Sequence, residues 1–94
     1  MKIVFDPAKR RKTLVERGVD FLDAERVFDG EQFTSEDVRQ DYGEQRFVTI
    51  GELSNKWVVV GWTPREEAGE IVRRVFSMRR ASEKEIARVQ ERLR

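Results

Sequence analysis

The apolar positions near the N-terminus are spaced for one short strand and one helix. The run KIVF is a strand-like segment. Asp6 followed by Pro7 is typical of a helix start, with the aspartate as N-cap and the proline in the first helical position. We predict that this helix continues to Glu16 or Arg17. Gly18 then supplies the residue without a Cβ that a left-handed helix end favours.

A second helical pattern follows directly. Asp20 is a good N-cap, and the apolar residues after it recur at three- and four-residue spacing, which brings them to one face of a helix. This helix is predicted to end at Phe28, because Asp29 and Gly30 then form a turn signal. The residues of its apolar face are Phe21, Ala24, Val27 and Phe28.

From residue 31 onward the pattern changes to that of β-strands separated by polar turns. The segment KWVVVGWT is apolar at nearly every position, so it is predicted to be a central strand that is buried on both faces. Short connections between the strands favour an antiparallel meander. The predicted strands are Gln32–Val38, Gln45–Ile50, Lys56–Thr63 and Ile71–Met78, with turns at 41–43 and 52–55 and a polar loop at 64–69.

A third helix is predicted after the last strand, because Ser82 and Glu85 have the spacing of a capping box. The element order is therefore β-α-α-β-β-β-β-α. This order predicts a single two-layer α+β domain over residues 1–94, with an antiparallel sheet and the helices grouped on one of its faces. The other face of the sheet would then be open to solvent or to a partner.

The amino-acid composition excludes several classes of functional site. The chain has no cysteine and no histidine, which excludes disulfides, thiolate and imidazole metal ligands, and the commonest general base. No nucleotide-binding glycine loop or nucleophile elbow occurs, so we expect neither a metal nor an organic cofactor. No apolar run approaches the length of a membrane span, and no signal-peptide core is present, so we expect a cytoplasmic protein.

The charges are unevenly distributed, although the net charge is only +1. Residues 1–12 carry five cations against one acid, and residues 71–94 carry eight cations against three acids, which leaves the central stretch strongly acidic. If the two basic ends meet in the fold, they form a positive patch that suits a polyanion. A surface laced with salt bridges explains the same charges without a ligand.

Four arginines lie on or next to the last predicted strand. In an ideal strand Arg73 and Arg79 share one face with Val75 and Ser77, while Arg74 and Arg80 share the other with Phe76 and Met78. The bulky apolar side chains of the second set favour the helix-covered face, which would leave Arg73 and Arg79 on the open face. A bulge near Arg73-Arg74 would change that parity. Arginine binds phosphate with a planar pair of donors, but arginines at strand ends also extend into solvent without a ligand.

Two further groups could take part in chemistry. Glu44 and Arg46 are two residues apart at the start of a strand, where a carboxylate next to a cation could act as a base with an electrostatic partner. The alternative is a surface ion pair worth less than about 1 kcal/mol. The four consecutive cations from Lys9 to Lys12 cover more than one face of the first helix, so some of them point away from the core. A solvated helix without a ligand is the favoured explanation of these cations.

Four segments occur in this order along the chain: FDPAK, then GVDFLDAERVFD, then GEQRFVTIG, then VFSMRRAS. Together they span nearly the whole chain, and they resemble the BrnT toxin family. The resemblance implies an α+β fold similar to that of RelE ribonucleases, and a toxin of a type II toxin–antitoxin system that cleaves RNA without a metal and inhibits translation. It also implies a hetero-oligomer with a BrnA-like antitoxin, which represses the operon through its own DNA-binding domain.

The same resemblance assigns residues to a site. Glu44 and Arg46 match a strand start of the form GEERF, Arg79 and Arg80 match a strand end of the form SARRA, and Lys9 matches a lysine of the first helix. The family has one more arginine on the last strand. Arg74 fits that position best, and Arg73 rivals it because this chain is one residue longer there. The implied catalytic residues are Glu44, Arg46, Arg74 and Arg79, and the implied RNA-binding residues are Lys9, Arg73 and Arg80.

The implied reaction needs no nucleophile from the protein, because the 2′-hydroxyl of the RNA attacks the adjacent phosphate. Glu44 is then the base, and the three catalytic arginines stabilise the negative charge of the phosphorane. One departure concerns the end of the first helix, where the family has Lys-His-Gly and this chain has Glu16-Arg17-Gly18. Arg17 could hold a phosphate but does not release a proton. The alternative function is a catalytically inert protein-binding or RNA-binding domain of the same fold.

Overall fold

A five-stranded sheet forms the centre of the molecule in this computed structural model, which describes residues 1–94. Its strands are β1 (Ile3–Val4), β2 (Gln32–Glu36), β3 (Phe47–Leu53), β4 (Lys56–Glu67) and β5 (Glu70–Arg80). They lie side by side in the order β1-β5-β4-β3-β2. The predicted central strand is therefore confirmed, and β4 is buried from Val58 to Thr63.

The sheet is mixed, so the prediction of a purely antiparallel sheet is wrong. β2, β3, β4 and β5 are antiparallel to their neighbours, as the short connections predicted. β1 instead runs parallel to β5, with Ile3 opposite Arg73 and Val4 opposite Arg74. Most of the chain separates β1 from β5, and a connection of that length can join parallel strands, which a hairpin cannot.

The first helix, α1 (Pro7–Arg17), has the predicted ends. The Asp6 carboxylate accepts a hydrogen bond of 3.0 Å from the Ala8 amide, and Pro7 opens the helix. Gly18 adopts a left-handed conformation with φ of 69°, and its amide donates to the Leu14 carbonyl. Both end signals are local, which is why the sequence predicted them correctly.

The second predicted helix is divided into two parts, which changes the predicted element order. Asp20 caps its start, as expected, by accepting from the Leu22 amide. The first turn, however, is a 3₁₀ turn (Phe21–Asp23), and only Ala24–Asp29 form the α-helix α2. The last helix, α3 (Glu83–Arg92), begins at Ser82 with the complete capping box that the sequence predicted.

β4 and β5 are longer than predicted, because the polar loop expected at 64–69 is largely strand. Only Ala68 and Gly69 form the turn, both with positive φ. Pro64 lies within β4 opposite Arg73. The Arg73 amide donates to the Lys2 carbonyl on the β1 side (2.8 Å), so this pair exchanges no backbone hydrogen bonds. The missing N–H of the proline therefore costs no ladder bond.

The two faces of the sheet are both covered by helices, so the prediction of helices on one face is wrong. On the core face, Val58, Val60 and Trp62 pack in one buried cluster with Phe21, Ala24 and Val27 of the second helical segment. We call the opposite face the cleft face. The register places Phe33, Val48 and Ile50 there, and they line a groove with the buried Val89 of α3. These apolar side chains explain why α3 packs on that face.

β5 contains an irregularity that determines where its side chains point. Gly61 pairs with Ser77 and the next residue, Trp62, pairs with Val75, so Phe76 is an extra residue. The register therefore brings Arg73 and Val75 to the core face and Ser77 and Arg79 to the cleft face.

None of the three helices is long and apolar enough to cross a membrane.

A basic cleft around Phe76 as candidate functional site

Two adjoining clefts on the cleft face meet at Phe76 and Ser77, which line both of them. The cleft next to α1 has a volume of about 270 Å³, and the cleft next to the start of α3 has a volume of about 230 Å³. Together they form one trough whose walls come from distant parts of the sequence. Its cations are Lys9, Lys12, Arg17, Arg39 and Arg79, and its acids are Glu16, Asp37 and Glu85.

Phe76 reaches the floor of this trough because of Gly61 on the neighbouring strand. A Cβ at position 61 would lie 2.9 Å from Cε1 of Phe76 and would also collide with Oγ of Ser77. Real Cβ atoms do not approach neighbours this closely, so only glycine allows the bulged Phe76 to lie across β4. The bulge and the glycine thus act together to shape the site.

Arg46 is held against Phe76 but does not itself line either cleft. Its guanidinium carbon lies 4.3 Å from the centre of the Tyr42 ring and 4.7 Å from the centre of the Phe76 ring. Its Nε donates to Oε2 of Glu44 at 3.1 Å, so the predicted Glu44–Arg46 pair is formed. The second oxygen of Glu44 accepts from Arg65 at 3.5 Å. Two aromatic rings and a carboxylate therefore fix the orientation of this cation.

The loop between β2 and β3 is anchored by Asp37, whose side chain is only 8% exposed. Its carboxylate accepts from Nε and Nη2 of Arg39 at 2.9 and 2.8 Å and from the hydroxyl of Tyr42 at 3.0 Å. These bonds, chiefly those from Arg39, hold the pKa of Asp37 well below its usual range. Because Tyr42 also stacks on Arg46, the anchor extends to the predicted catalytic residue.

Arg79 lies at the α3 end of the trough and is joined to Glu85. Its Nη1 and Nη2 donate to the two carboxylate oxygens, each at 2.8 Å, and Nη1 also donates to the Arg80 carbonyl at 3.2 Å. The hydrogen bonds from Arg79 lower the pKa of Glu85 to about 2. The sequence predicts Glu85 only as part of the capping box, and no pattern indicates that it also holds an arginine of the site.

The α1 side of the trough carries the predicted Lys9 together with Lys12 and Arg17. Nη1 of Arg17 donates to the Met78 carbonyl at 3.3 Å, which ties the end of α1 to β5. Arg10, in the same basic run, is instead engaged by Asp20 through bonds of 2.7 and 3.0 Å. Of the run of four cations, Lys9 and Lys12 therefore line the trough, Arg10 is in an internal ion pair, and Arg11 is exposed outside both.

Arg73 does not line the trough, which corrects the prediction that it shares the open face with Arg79. It lies on the core face with its guanidinium carbon 4.0 Å from the centre of the Phe28 ring and 4.9 Å from the centre of the Trp62 ring. Its Nε is buried without a hydrogen-bond partner, and burial lowers the pKa of this arginine. The parity changed because the extra residue is Phe76, not a residue near Arg73.

Arg74 and Arg80 complete the set of candidate residues. Arg74 pairs with Thr63 on the same face as Arg79, not on the core face as ideal alternation predicted. Its side chain makes no hydrogen bond or ion pair within the protein. Arg80 pairs with Val58 and is exposed at the end of β5 on the core face, so Arg79 and Arg80 do point to opposite sides, as predicted.

Several residues of the site were missed from the sequence. Arg39 lies in a polar segment and Tyr42 lies in a turn, so no periodic pattern marked them. Phe76 was assigned to the core because alternation paired it with Met78. The close contact between Gly61 and Phe76 crosses two strands, which a linear pattern does not encode.

One comparison with known proteins bears on this geometry. A family model described as a ribonuclease toxin, BrnT, of type II toxin–antitoxin systems matches residues 5–85. The match extends from the residue before the α1 cap to Glu85, and so includes every residue of the trough. No curated protein matches the chain.

Proposed function

Because this chain belongs to the BrnT family of ribonuclease toxins of type II toxin–antitoxin systems, we propose that it cleaves RNA in the trough without a metal ion. The 2′-hydroxyl of the substrate attacks the adjacent phosphate, which leaves a 2′,3′-cyclic phosphate and a free 5′-hydroxyl. Cleavage of RNA would inhibit translation. The observation that carries this proposal is the convergence of cations from α1, the β2–β3 loop and β5 around Phe76.

Charge stabilisation falls to the arginines of the cleft face. Arg79 and Arg46 flank Phe76, and both are held by carboxylates, so they need little reorganisation when negative charge develops on the phosphorane. Arg74 is the third member of this set. It shares the face of Arg79 and has no internal partner, which leaves its donors free for a phosphate oxygen.

The proposed base is Glu44, which must take the proton from the attacking 2′-hydroxyl. Both of its oxygens accept from guanidinium groups, from Arg46 at 3.1 Å and from Arg65 at 3.5 Å. The 2′-hydroxyl of the substrate therefore has to approach a carboxylate that already accepts two hydrogen bonds. Glu16 is the rival base. It lines the α1 side of the trough and makes no hydrogen bond with another side chain. A comparison of the two glutamine variants distinguishes them.

The flanking phosphates of the RNA are proposed to lie along α1. Lys9 and Lys12 are exposed on the wall of the trough. Arg17 takes the position at which the family resemblance implies a histidine. Since Arg17 supplies charge but no proton, proton transfer would rest on the carboxylates. Arg80 could reach a phosphate beyond the end of β5, whereas Arg73 is enclosed by aromatic rings and is left out of the proposed site.

A type II system pairs its toxin with a protein antitoxin, which is therefore the partner of this chain. We propose that this antitoxin is BrnA-like, binds DNA through a separate domain, and forms a hetero-oligomer with the toxin. We further propose that the fold is of the RelE type, given its mixed sheet and the helices that precede and follow it.

The test is cleavage of a defined RNA by purified protein in excess chelator, with the new ends identified chemically. The proposal expects cleavage to persist and to yield 2′,3′-cyclic phosphate ends. Loss of activity in chelator, with recovery on addition of a divalent cation, would overturn metal independence. RNA binding without cleavage under any condition would instead support the inert binding domain.

A further inference from the structure

Glu85 holds Arg79 by accepting hydrogen bonds from the Nη1–Nη2 edge of its guanidinium group. A guanidinium has five N–H groups in a fixed planar arrangement. In Arg79, one N–H of Nη1 and one of Nη2 bind the two oxygens of Glu85, and the second N–H of Nη1 binds the Arg80 carbonyl. The two remaining donors, Nε–H and the second N–H of Nη2, make no hydrogen bond in the protein. They lie side by side on one edge.

Other arginines near the trough use their donors in the opposite way. Arg10 binds Asp20 through Nε and Nη2, at 2.7 and 3.0 Å. Arg39 binds Asp37 through the same edge, at 2.9 and 2.8 Å. Arg79 thus differs from both of them, because its Nε–Nη2 edge is the one that stays open.

Glu85 can impose this orientation because it is itself immobilised. Its Oε1 accepts from the Ser82 amide at 2.9 Å, and its own amide donates to Oγ of Ser82 at 3.2 Å. These bonds form the capping box of α3, so the carboxylate that holds Arg79 is fixed at the first turn of a helix. Both side chains line the α3 side of the trough.

We propose that Glu85 is a positioning residue that occupies the Nη1–Nη2 edge of Arg79 and so leaves the Nε–Nη2 edge ready to bind two oxygens of an RNA phosphate. This inference rests on the proposed ribonuclease function and adds a residue to it. Two parallel N–H donors match the spacing of phosphate oxygens, so a fixed guanidinium of this kind binds phosphate without first losing side-chain freedom.

The variant Glu85→Gln separates positioning from simple charge balance by the sign of its effect. This variant removes one negative charge from the trough. If Glu85 merely competed with phosphate, the variant would therefore bind RNA more tightly than the wild type and cleave it equally fast or faster. If Glu85 positions Arg79, the single-turnover cleavage rate falls by about 10- to 100-fold, since a misoriented guanidinium stabilises the phosphorane less although it keeps its own charge. Glu85→Asp, which keeps the charge but withdraws the carboxylate, should reduce the rate in the same direction.

Glu83→Gln is the matched control, because Glu83 lies in the same first turn of α3, carries the same charge and makes no side-chain bond. It should stay within about 3-fold of wild type in rate and in affinity for an RNA with 2′-O-methyl groups. A Glu85→Gln variant that cleaves unmodified RNA as fast as the wild type would overturn the proposal. A variant that binds the 2′-O-methyl RNA more tightly and cleaves unmodified RNA no more slowly would overturn it as well. Melting temperatures of all variants identify any loss of folding.

A second readout does not depend on cleavage. The Nε–H resonance of Arg79 should shift on titration with inorganic phosphate in the wild type, and this response should weaken by about 10-fold in Glu85→Gln. If the wild type cleaves no RNA but this resonance responds, the ribonuclease function fails while the positioning of Arg79 stands. If the resonance does not respond to phosphate, or responds equally in the variant, the positioning of Arg79 by Glu85 is wrong.

Discussion

Arg73 and Arg79 lie on the same strand, yet the two faces of the sheet give them opposite environments. Arg73 on the core face is enclosed by Phe28 and Trp62, and its buried Nε has no partner. Arg79 on the cleft face is about half exposed, is held by Glu85, and keeps two donors free. The residue type alone therefore does not indicate function. Of these two arginines, only Arg79 on the cleft face has exposed free N–H donors that can bind an anion.

The largest expected effect concerns the two adjacent arginines at the end of β5. Arg79→Ala should reduce the RNA cleavage rate by about 10³-fold, because it removes a fixed donor pair from the phosphorane. Arg80→Ala removes the same charge from the opposite face and should cost roughly 3-fold. Single-turnover rates on one defined RNA measure both. Equal losses in the two variants would show that net charge matters and the face does not.

A smaller effect is expected at the carboxylates. Glu44→Gln should lower the single-turnover cleavage rate by about 10²-fold, because a positioned base contributes about this much. Glu16→Gln, on the α1 side of the trough, is the matched variant and should stay within about 3-fold of wild type. If Glu16→Gln loses cleavage and Glu44→Gln does not, the base lies on α1.

The Arg79–Glu85 pair should also appear in the dependence of stability on pH. The pKa of Glu85 is lowered from 4.5 to about 2 by its bonds to Arg79, so its stabilising effect is complete above pH 4.5 and is lost as the pH falls toward 2. Since both side chains are partly exposed, the loss should be about 1 kcal/mol. Urea unfolding of wild type and Glu85→Gln over this range measures it. Parallel curves for the two proteins would contradict the assignment.

The smallest effect on activity is expected on the core face. Arg73→Met replaces a half-buried cation by an apolar side chain of similar length, and removes an unpaired buried N–H. RNA cleavage should stay within about 3-fold of wild type, while the free energy of unfolding should stay equal or rise by about 1 kcal/mol. Thermal unfolding and cleavage rates measure the two quantities. A large loss of cleavage with normal folding would place Arg73 in the site after all.

The features that the sequence predicted correctly are those that depend on neighbours in the chain. Asp6, Gly18 and Ser82 end or start helices through groups two to four residues away, and all three behave as expected. The apolar run of β4 likewise marks a central strand, because burial on both faces leaves no charged residue between Val58 and Thr63.

The features that the sequence did not predict depend on contacts between distant segments. Arg73 and Arg74 lie on the faces opposite to those predicted, because Gly61 on β4 makes room for an extra residue at Phe76. β1 pairs with β5 in parallel, and α3 covers the cleft face. Both features depend on packing between segments that are distant in the sequence, so no single segment predicts them. The capping box at Ser82 predicted a helix start but not that Glu85 also holds Arg79.

The central claim is that RNA binds on the cleft face and not around the enclosed Arg73. Backbone amide shifts on titration with an RNA carrying 2′-O-methyl groups test it most directly, because the whole molecule is observed in one experiment. We predict that the largest changes occur at Phe76, Ser77 and Arg79 and along the Lys9–Lys12 side of α1. Changes concentrated at Phe28 and Trp62, with the trough unaffected, would contradict the account.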